Sequence, residues 1–231
     1  MTMPFYISPE QLMRDRADYA RQGINRGRAV IVAQCAAGII FATENHSQAL
    51  HKISEIYDRI GFAAVGKYNE FEALRVAGIR YADLKGYSYD RSDVIARSLA
   101  NTYAQTLGTA FTTDSKPLEV EVIIAELGAT AQDDELYHLS YDGSVAQEHG
   151  YVVVGGHSEE IRKELAHTWN PDLPVADIIS LLCKVLARPH DQEPETPPTP
   201  VAPEHLEAAL LDRSRPRRTF RRLHLPADAA H

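Results

Sequence analysis

Apolar and polar positions recur with different periods along the chain, and the changes of period divide it into blocks. From Pro9 to Ile24 the residues Met13, Ala17, Ala20 and Ile24 recur at steps of four, three and four. Arg14, Asp15, Asp18 and Arg21 take the other faces, which is the pattern of an amphipathic helix with one narrow apolar stripe. Its start is strongly marked. Ser8 is placed as N-cap, Pro9 sits at the first helical position, where its missing N–H costs nothing, and Gln11 is placed to close a capping box. Ile7 and Leu12 are spaced for a hydrophobic staple, and Gly23 marks the end.

After Arg28 the pattern changes to short apolar runs. AVIVAQCA, GIIFATE, HKISEIYD and IGFAAVG predict four antiparallel strands between residues 29 and 66. Two helices are predicted next. One runs from Asn69 to about Leu84, and the other from Ser92, its expected cap, to about Phe111, with Ile95, Leu99, Tyr103 and Leu107 four residues apart. Strands return over 117–127 and 135–156, with a turn at Asp142-Gly143, and helices again over 158–169 and 174–187. HLEAALLD and TFRRL predict two closing strands.

A strand block, a helix pair, a strand block and a helix pair suit two sheets packed face to face with helices on both outer sides. The expected fold class is therefore α+β, a four-layer αββα sandwich. The expected boundaries are an apolar N-terminal segment over 1–8, a helix over 9–24, the sandwich over 25–188, a proline-rich extended loop over 189–204, closing strands over 205–224 and a frayed tail over 225–231.

Composition narrows the function. A chain of 231 residues, 44% hydrophobic, can bury one sizeable core, and a net charge of -8 argues against a nucleic-acid partner. Cys35 and Cys183 each lie in an apolar run and read as small buried hydrophobes, so neither a disulfide framework nor a zinc quartet is expected. No apolar run is long enough for a membrane span and the start lacks the signature of a signal peptide, so the expected location is cytoplasmic. The apolar residues Met3, Phe5, Tyr6 and Ile7 then call for a binding or plugging role.

Catalytic motifs are not evident. The 10 histidines are scattered without metal-ligand spacing, and no metal or cofactor is expected. VVVGGHSEEI lacks the Lys-Ser/Thr of a P-loop and the third glycine of a dinucleotide fingerprint, and its Gly-His-Ser is not followed by the glycine of a nucleophile elbow. The arginines at 213, 215, 217, 218, 221 and 222 read as a solvated turn or a charged contact between subunits.

Several segments together resemble one family. FYISPEQLMRDRADYARQGI, HSQALHKISEIYDRIGFAAVGKYNEFEALRVAGI, GYSYDRSDV with LANTYAQTLGTAFT, ELYHLSYDGSVA, YVVVGG and LEAALLDRSRPRRTFRRL are similar, in the same order, to the α-type subunits of actinobacterial 20S proteasomes. The resemblance implies the Ntn-hydrolase-like sandwich and a catalytically silent subunit of a protein-degrading particle. Seven copies would form an end ring, two such rings would cap two rings of β-subunits, and a ring-shaped AAA ATPase would deliver proteins tagged with a ubiquitin-like modifier. It also implies a gate formed by Met3, Pro4, Phe5, Tyr6, Ile7, Ser8 and Pro9, and an activator-docking role for Lys52. The competing readings are a self-processing N-terminal threonine hydrolase of the same fold and a stand-alone binding protein. The first needs a free threonine near the first strand, yet Thr2 precedes a whole helix and Gly108-Thr109 falls in a predicted one.

Overall fold

Ten strands form two antiparallel five-stranded sheets in the computed structural model, which describes residues 8–187 and 200–223. The first helix, α1, spans Pro9–Asn25. Val30–Cys35 (β1) and Gly38–Glu44 (β2) make one hairpin, and Ile53–Tyr57 (β3) and Ile60–Gly66 (β4) make another. Helices Tyr68–Ser88 (α2) and Ala96–Thr113 (α3) follow, then strands Val120–Glu126 (β5), Glu135–Leu139 (β6), Val145–Glu148 (β7) and Tyr151–Val154 (β8). Helices Ser158–Thr168 (α4) and Val175–Val185 (α5) precede strands Leu206–Asp212 (β9) and Phe220–Leu223 (β10). The sheet orders are β10-β9-β2-β1-β8 and β3-β4-β5-β6-β7.

Residues on opposite faces of each strand feed different cores, because successive side chains point to opposite sides of a sheet. In β1, Val30 and Val32 enter the core between the sheets, while Ile31 and Ala33 enter a second core under α4 and α5. In β5, Ile123 and Ala125 face the central core, while Val122 and Ile124 face α2 and α3. This double burial explains why these strands read as continuous apolar runs rather than as alternation. It also makes the architecture the expected αββα sandwich.

The sheet switch places the site. The first hairpin belongs to one sheet and the second to the other, so residues 45–52 must cross between them at one end of the sandwich. At the opposite end of that hairpin Gly38 has φ +142°, and a Cβ there would collide with the carbonyl oxygen of Leu211 on the neighbouring β9, so this turn requires glycine.

Several local expectations change. Gln11 does not close a capping box; its side-chain amide donates to Asp15 Oδ1 at 2.6 Å. The first helix ends at Asn25, beyond Gly23. Ser92 does not cap α3. It lies in a 3-10 turn, Arg91–Asp93, capped by Asp90, while the first amide of α3, on Ala96, donates to Glu126 Oε2 at 2.6 Å. That cap comes from β5 and leaves no local trace in the sequence. The part of the proline-rich segment within the described residues is not an exposed loop throughout. Val201 is buried in the core under α5, its N–H donates to the Cys183 carbonyl at 3.0 Å, and Pro203–His205 form a 3-10 turn. The remainder of that segment and the tail over 225–231 lie outside the described residues.

Cys35 is buried and Cys183 half-buried, and desolvation pushes both thiols above their ordinary pKa. The arginine cluster includes the expected exposed turn, over residues 214–218 with Arg215 and Arg217 at the surface, but four of its six arginines form ion pairs within the chain. Arg213 pairs with the fully buried carboxylate of Asp134 at 2.6 Å, Arg218 with Glu55 at 2.7 Å, Arg221 with Asp212 at 2.7 Å and Arg222 with Glu207 at 3.1 Å. These arginines tie the last two strands to both sheets.

Candidate functional site

Two places on the molecule carry the sequence-derived site residues. The first is the root of α1. Ser8 has extended backbone and its Oγ accepts a hydrogen bond from the Gln11 N–H at 3.2 Å, with Pro9 at the first helical position, so the N-cap is formed as expected. Both residues are exposed. Met3, Pro4, Phe5, Tyr6 and Ile7 lie outside the described residues, and the staple between Ile7 and Leu12 falls there too.

The helix itself is fastened to the body. Ala20 and Ile24 enter the core between the sheets, with Ala17 packed at its margin. Arg16 donates to the carbonyls of Phe111 at 2.7 Å, Ala110 at 3.1 Å and Asp114 at 2.8 Å, at the C-terminus of α3 where carbonyls run out of intrahelical donors, although Ala110 also accepts from the Asp114 N–H at 3.3 Å. Its guanidinium also lies over the Phe111 ring, 5.8 Å from the centroid. Leu12 and Met13, one turn from the N-cap, remain exposed, so the predicted stripe is buried only in its C-terminal half.

The second place surrounds Lys52, at the end of the crossing loop and one residue before β3. Its Nζ donates to the Arg28 carbonyl at 3.0 Å. Burial removes water from the ammonium and lowers its pKa to about 8; Glu207 and Glu44 oppose that shift and Arg28 adds to it. The lysine is therefore poorly hydrated and held by a neutral acceptor, with carboxylates nearby.

Glu207 builds the backbone of this site. It stands on β9 in register with Thr43 of β2, which puts its nearly buried carboxylate beside the crossing loop. That carboxylate accepts from the Lys52 and Ile53 N–H groups, each at 3.1 Å, from Asn45 Nδ2 at 2.7 Å and from Arg222 Nη1 at 3.1 Å. His51 Nδ1 lies 3.3 Å from it. Glu44, at the end of β2, pairs with Arg28 and with His46 Nε2 at 2.7 Å. Alongside runs an open groove of about 530 Å3, lined in part by His46, His51, His205, Glu207, Arg222 and Leu223.

Sequence reasoning singled out Lys52 and missed Arg28, Glu44 and Glu207. Glu207 is 155 residues from Lys52. The available signal was weak: an acidic residue in the second position of a strand, LEAALLD, that is apolar up to its final Asp212. Chemically the cluster is suited to receive an anion with a flat two-oxygen head, since it offers a desolvated ammonium and, on the residue whose carbonyl that ammonium holds, a guanidinium. Among the described residues no group of three His, Cys, Asp or Glu side chains is arranged to hold a metal, and no helix is long and apolar enough to cross a membrane.

Comparison with known proteins adds a family to this geometry. Residues 24–197 match a family model described as Proteasome subunit. The chain is 71% identical over 223 residues to a Jonesia denitrificans protein named Proteasome subunit alpha, an alignment covering 96% of this chain and 94% of the relative. Proteins of the same name from Sanguibacter keddieii and Kineococcus radiotolerans are 65% identical over 223 residues and 60% identical over 227. Those alignments cover 96% and 98% of this chain, and 86% and 96% of the relatives.

Proposed function

The chain belongs to the proteasome subunit family, and from that premise we propose that it works as the α-type subunit of a 20S core particle. It is of the non-catalytic kind: the particle cuts proteins with threonine nucleophiles carried by β-subunits, and this chain contributes the end ring. The alternative of a self-processing threonine hydrolase has little support. Gly108-Thr109 sits inside α3, where cleavage would cut a core helix.

In this reading seven copies form a ring, two such rings cap two β-rings, and the assembly acts in the cytoplasm in protein degradation. The segment from Met3 to Ile7, rooted at Ser8 and Pro9, forms the gate. Seven apolar copies converging on one axis can bury one another, which a single copy cannot do. Lys52 receives the C-terminal carboxylate of a ring-shaped AAA ATPase that brings substrates carrying a ubiquitin-like tag.

The observation that carries the docking role is the state of the Lys52 ammonium, stripped of much of its water and hydrogen-bonded to the neutral Arg28 carbonyl. A terminal carboxylate would supply the counter-charge that burial has made valuable. Two experiments on the particle assembled with its β partner test the reading. Lys52→Ala should abolish ATPase binding, and unchanged binding would refute the docking role. Deletion of residues 2–8 should leave assembly intact and speed peptide hydrolysis, whereas an unchanged rate would refute the gate.

A further inference from the structure

A carboxylate arriving at Lys52 meets a site that already holds two carboxylates, and they are held differently. Glu207 cannot move without releasing the backbone N–H groups of Lys52 and Ile53, the Asn45 amide and Arg222. Glu44 is held by side chains, Arg28 and His46, at a position where 22% of its own side chain remains exposed. Arg28 is also the residue whose carbonyl accepts from Lys52 Nζ, so its guanidinium is tethered within one side chain's length of that ammonium. Its side chain is about one-third exposed, although Nη1, the atom that meets Glu44, is itself buried.

Resting on the reading of Lys52 as the docking lysine, we infer that Arg28 is a second carboxylate-binding residue, kept neutralised by Glu44 until a C-terminal carboxylate takes Glu44's place. The formal charges explain the arrangement. Lys52, Arg28 and Arg222 face Glu44 and Glu207, so without Glu44 the empty site would carry two uncompensated positive charges instead of one, and Glu44 is what masks Arg28 from stray anions. When a chain terminus enters, Arg28 exchanges one carboxylate for another, a group that a planar guanidinium can bind through two N–H groups. Glu44 retains His46 and gains water, a small loss at a partly exposed position. Glu44 is then an internal competitor of the ligand, and removing its charge should strengthen docking rather than weaken it. A purely structural role for the Arg28–Glu44 pair gives the opposite sign.

The test uses the assembled α/β particle and a labelled eight-residue peptide copied from the C-terminus of the ring ATPase, with its C-terminal amide as control. Glu44→Gln should tighten binding of the free-acid peptide about fivefold, the scale of one partly exposed ion pair. It should leave the amide unchanged. Arg28→Ala should weaken the free acid, and in that background Glu44→Gln should give no gain, the signature of coupling in a double-mutant cycle. If Arg28→Ala prevents assembly, Arg28→Lys serves instead, keeping the charge and losing the fork. It should reduce the Glu44→Gln gain without abolishing it. The inference fails if Glu44→Gln is neutral or weakening, or if its gain is undiminished without the Arg28 fork. Failure of the underlying reading looks different: Lys52→Ala would then bind the peptide as well as the wild type does.

Discussion

The guanidinium of Arg16, on the helix that leads from the N-terminal segment, donates to the carbonyl of Phe111 at the C-terminus of α3, with Nε 2.7 Å from the oxygen. This contact and its neighbours at Ala110 and Asp114 fix where α1 leaves the body and therefore where the preceding residues start. Arg16→Ala should cost about 1–3 kcal/mol, the range for hydrogen bonds to a charged donor and for carbonyls left unpaired. Amide hydrogen exchange should rise in α1 and in the last turn of α3 before it rises in the sheets. Uniform exchange across the protein would show that α1 is held by its apolar face alone.

Lys52 makes stability and docking depend on pH in opposite ways. Its pKa falls from the ordinary 10.5 to about 8 in the folded chain, so between those values the unfolded chain binds more protons and this group's contribution to stability rises with pH. Below about pH 8 the full cost of burying the ammonium is present. Docking needs the charged form and should fall as pH rises through 8, with Arg28, Glu44 and Glu207 as the charges facing the lysine. Peptide binding measured from pH 7 to pH 9.5 checks this, and Lys52→Arg, which stays charged, should flatten the profile.

Asp134 and Arg213 form the most deeply buried ion pair among the described residues; the Asp134 side chain is fully inaccessible and also accepts from the Gly128 N–H at 2.8 Å. Asp134→Asn leaves a guanidinium without its counter-charge and should lower stability by about 3 kcal/mol, with Arg213's partial exposure holding the loss to the low end for a broken buried pair. Chemical denaturation of the variant gives the number directly. A change below about 1 kcal/mol would mean that water replaces the carboxylate.

Gly78 on α2 lies against Tyr103 on α3, whose hydroxyl donates to the Leu74 carbonyl at 2.9 Å. A Cβ at position 78 would overlap the phenolic oxygen, so Gly78→Ala should destabilise by about 1–3 kcal/mol, as overpacking does. Adding Tyr103→Phe removes the nearest atom and should recover part of the loss in thermal melts. No recovery would mean that the two helices separate instead of the side chain shifting.

Much of this protein is written locally. Short apolar runs separated by turn residues mark the strands, four-residue spacing marks α3, and Ser8-Pro9 marks where α1 begins, because each signal depends on neighbours a few residues apart. The order of those blocks already implies two sheets between two helical layers. Tertiary structure decided what distant residues do. Glu126 caps α3 and Glu207 fixes the backbone of Lys52 because β5 and β9 happen to lie beside them, and the register of β9 on β2 sets which carboxylate faces the crossing loop. The arginines near the C-terminus read as surface charge until Asp134, Glu55, Asp212 and Glu207 come within reach. A charge is neutral in meaning along the chain; burial and the partner brought to it by strand pairing give it a role.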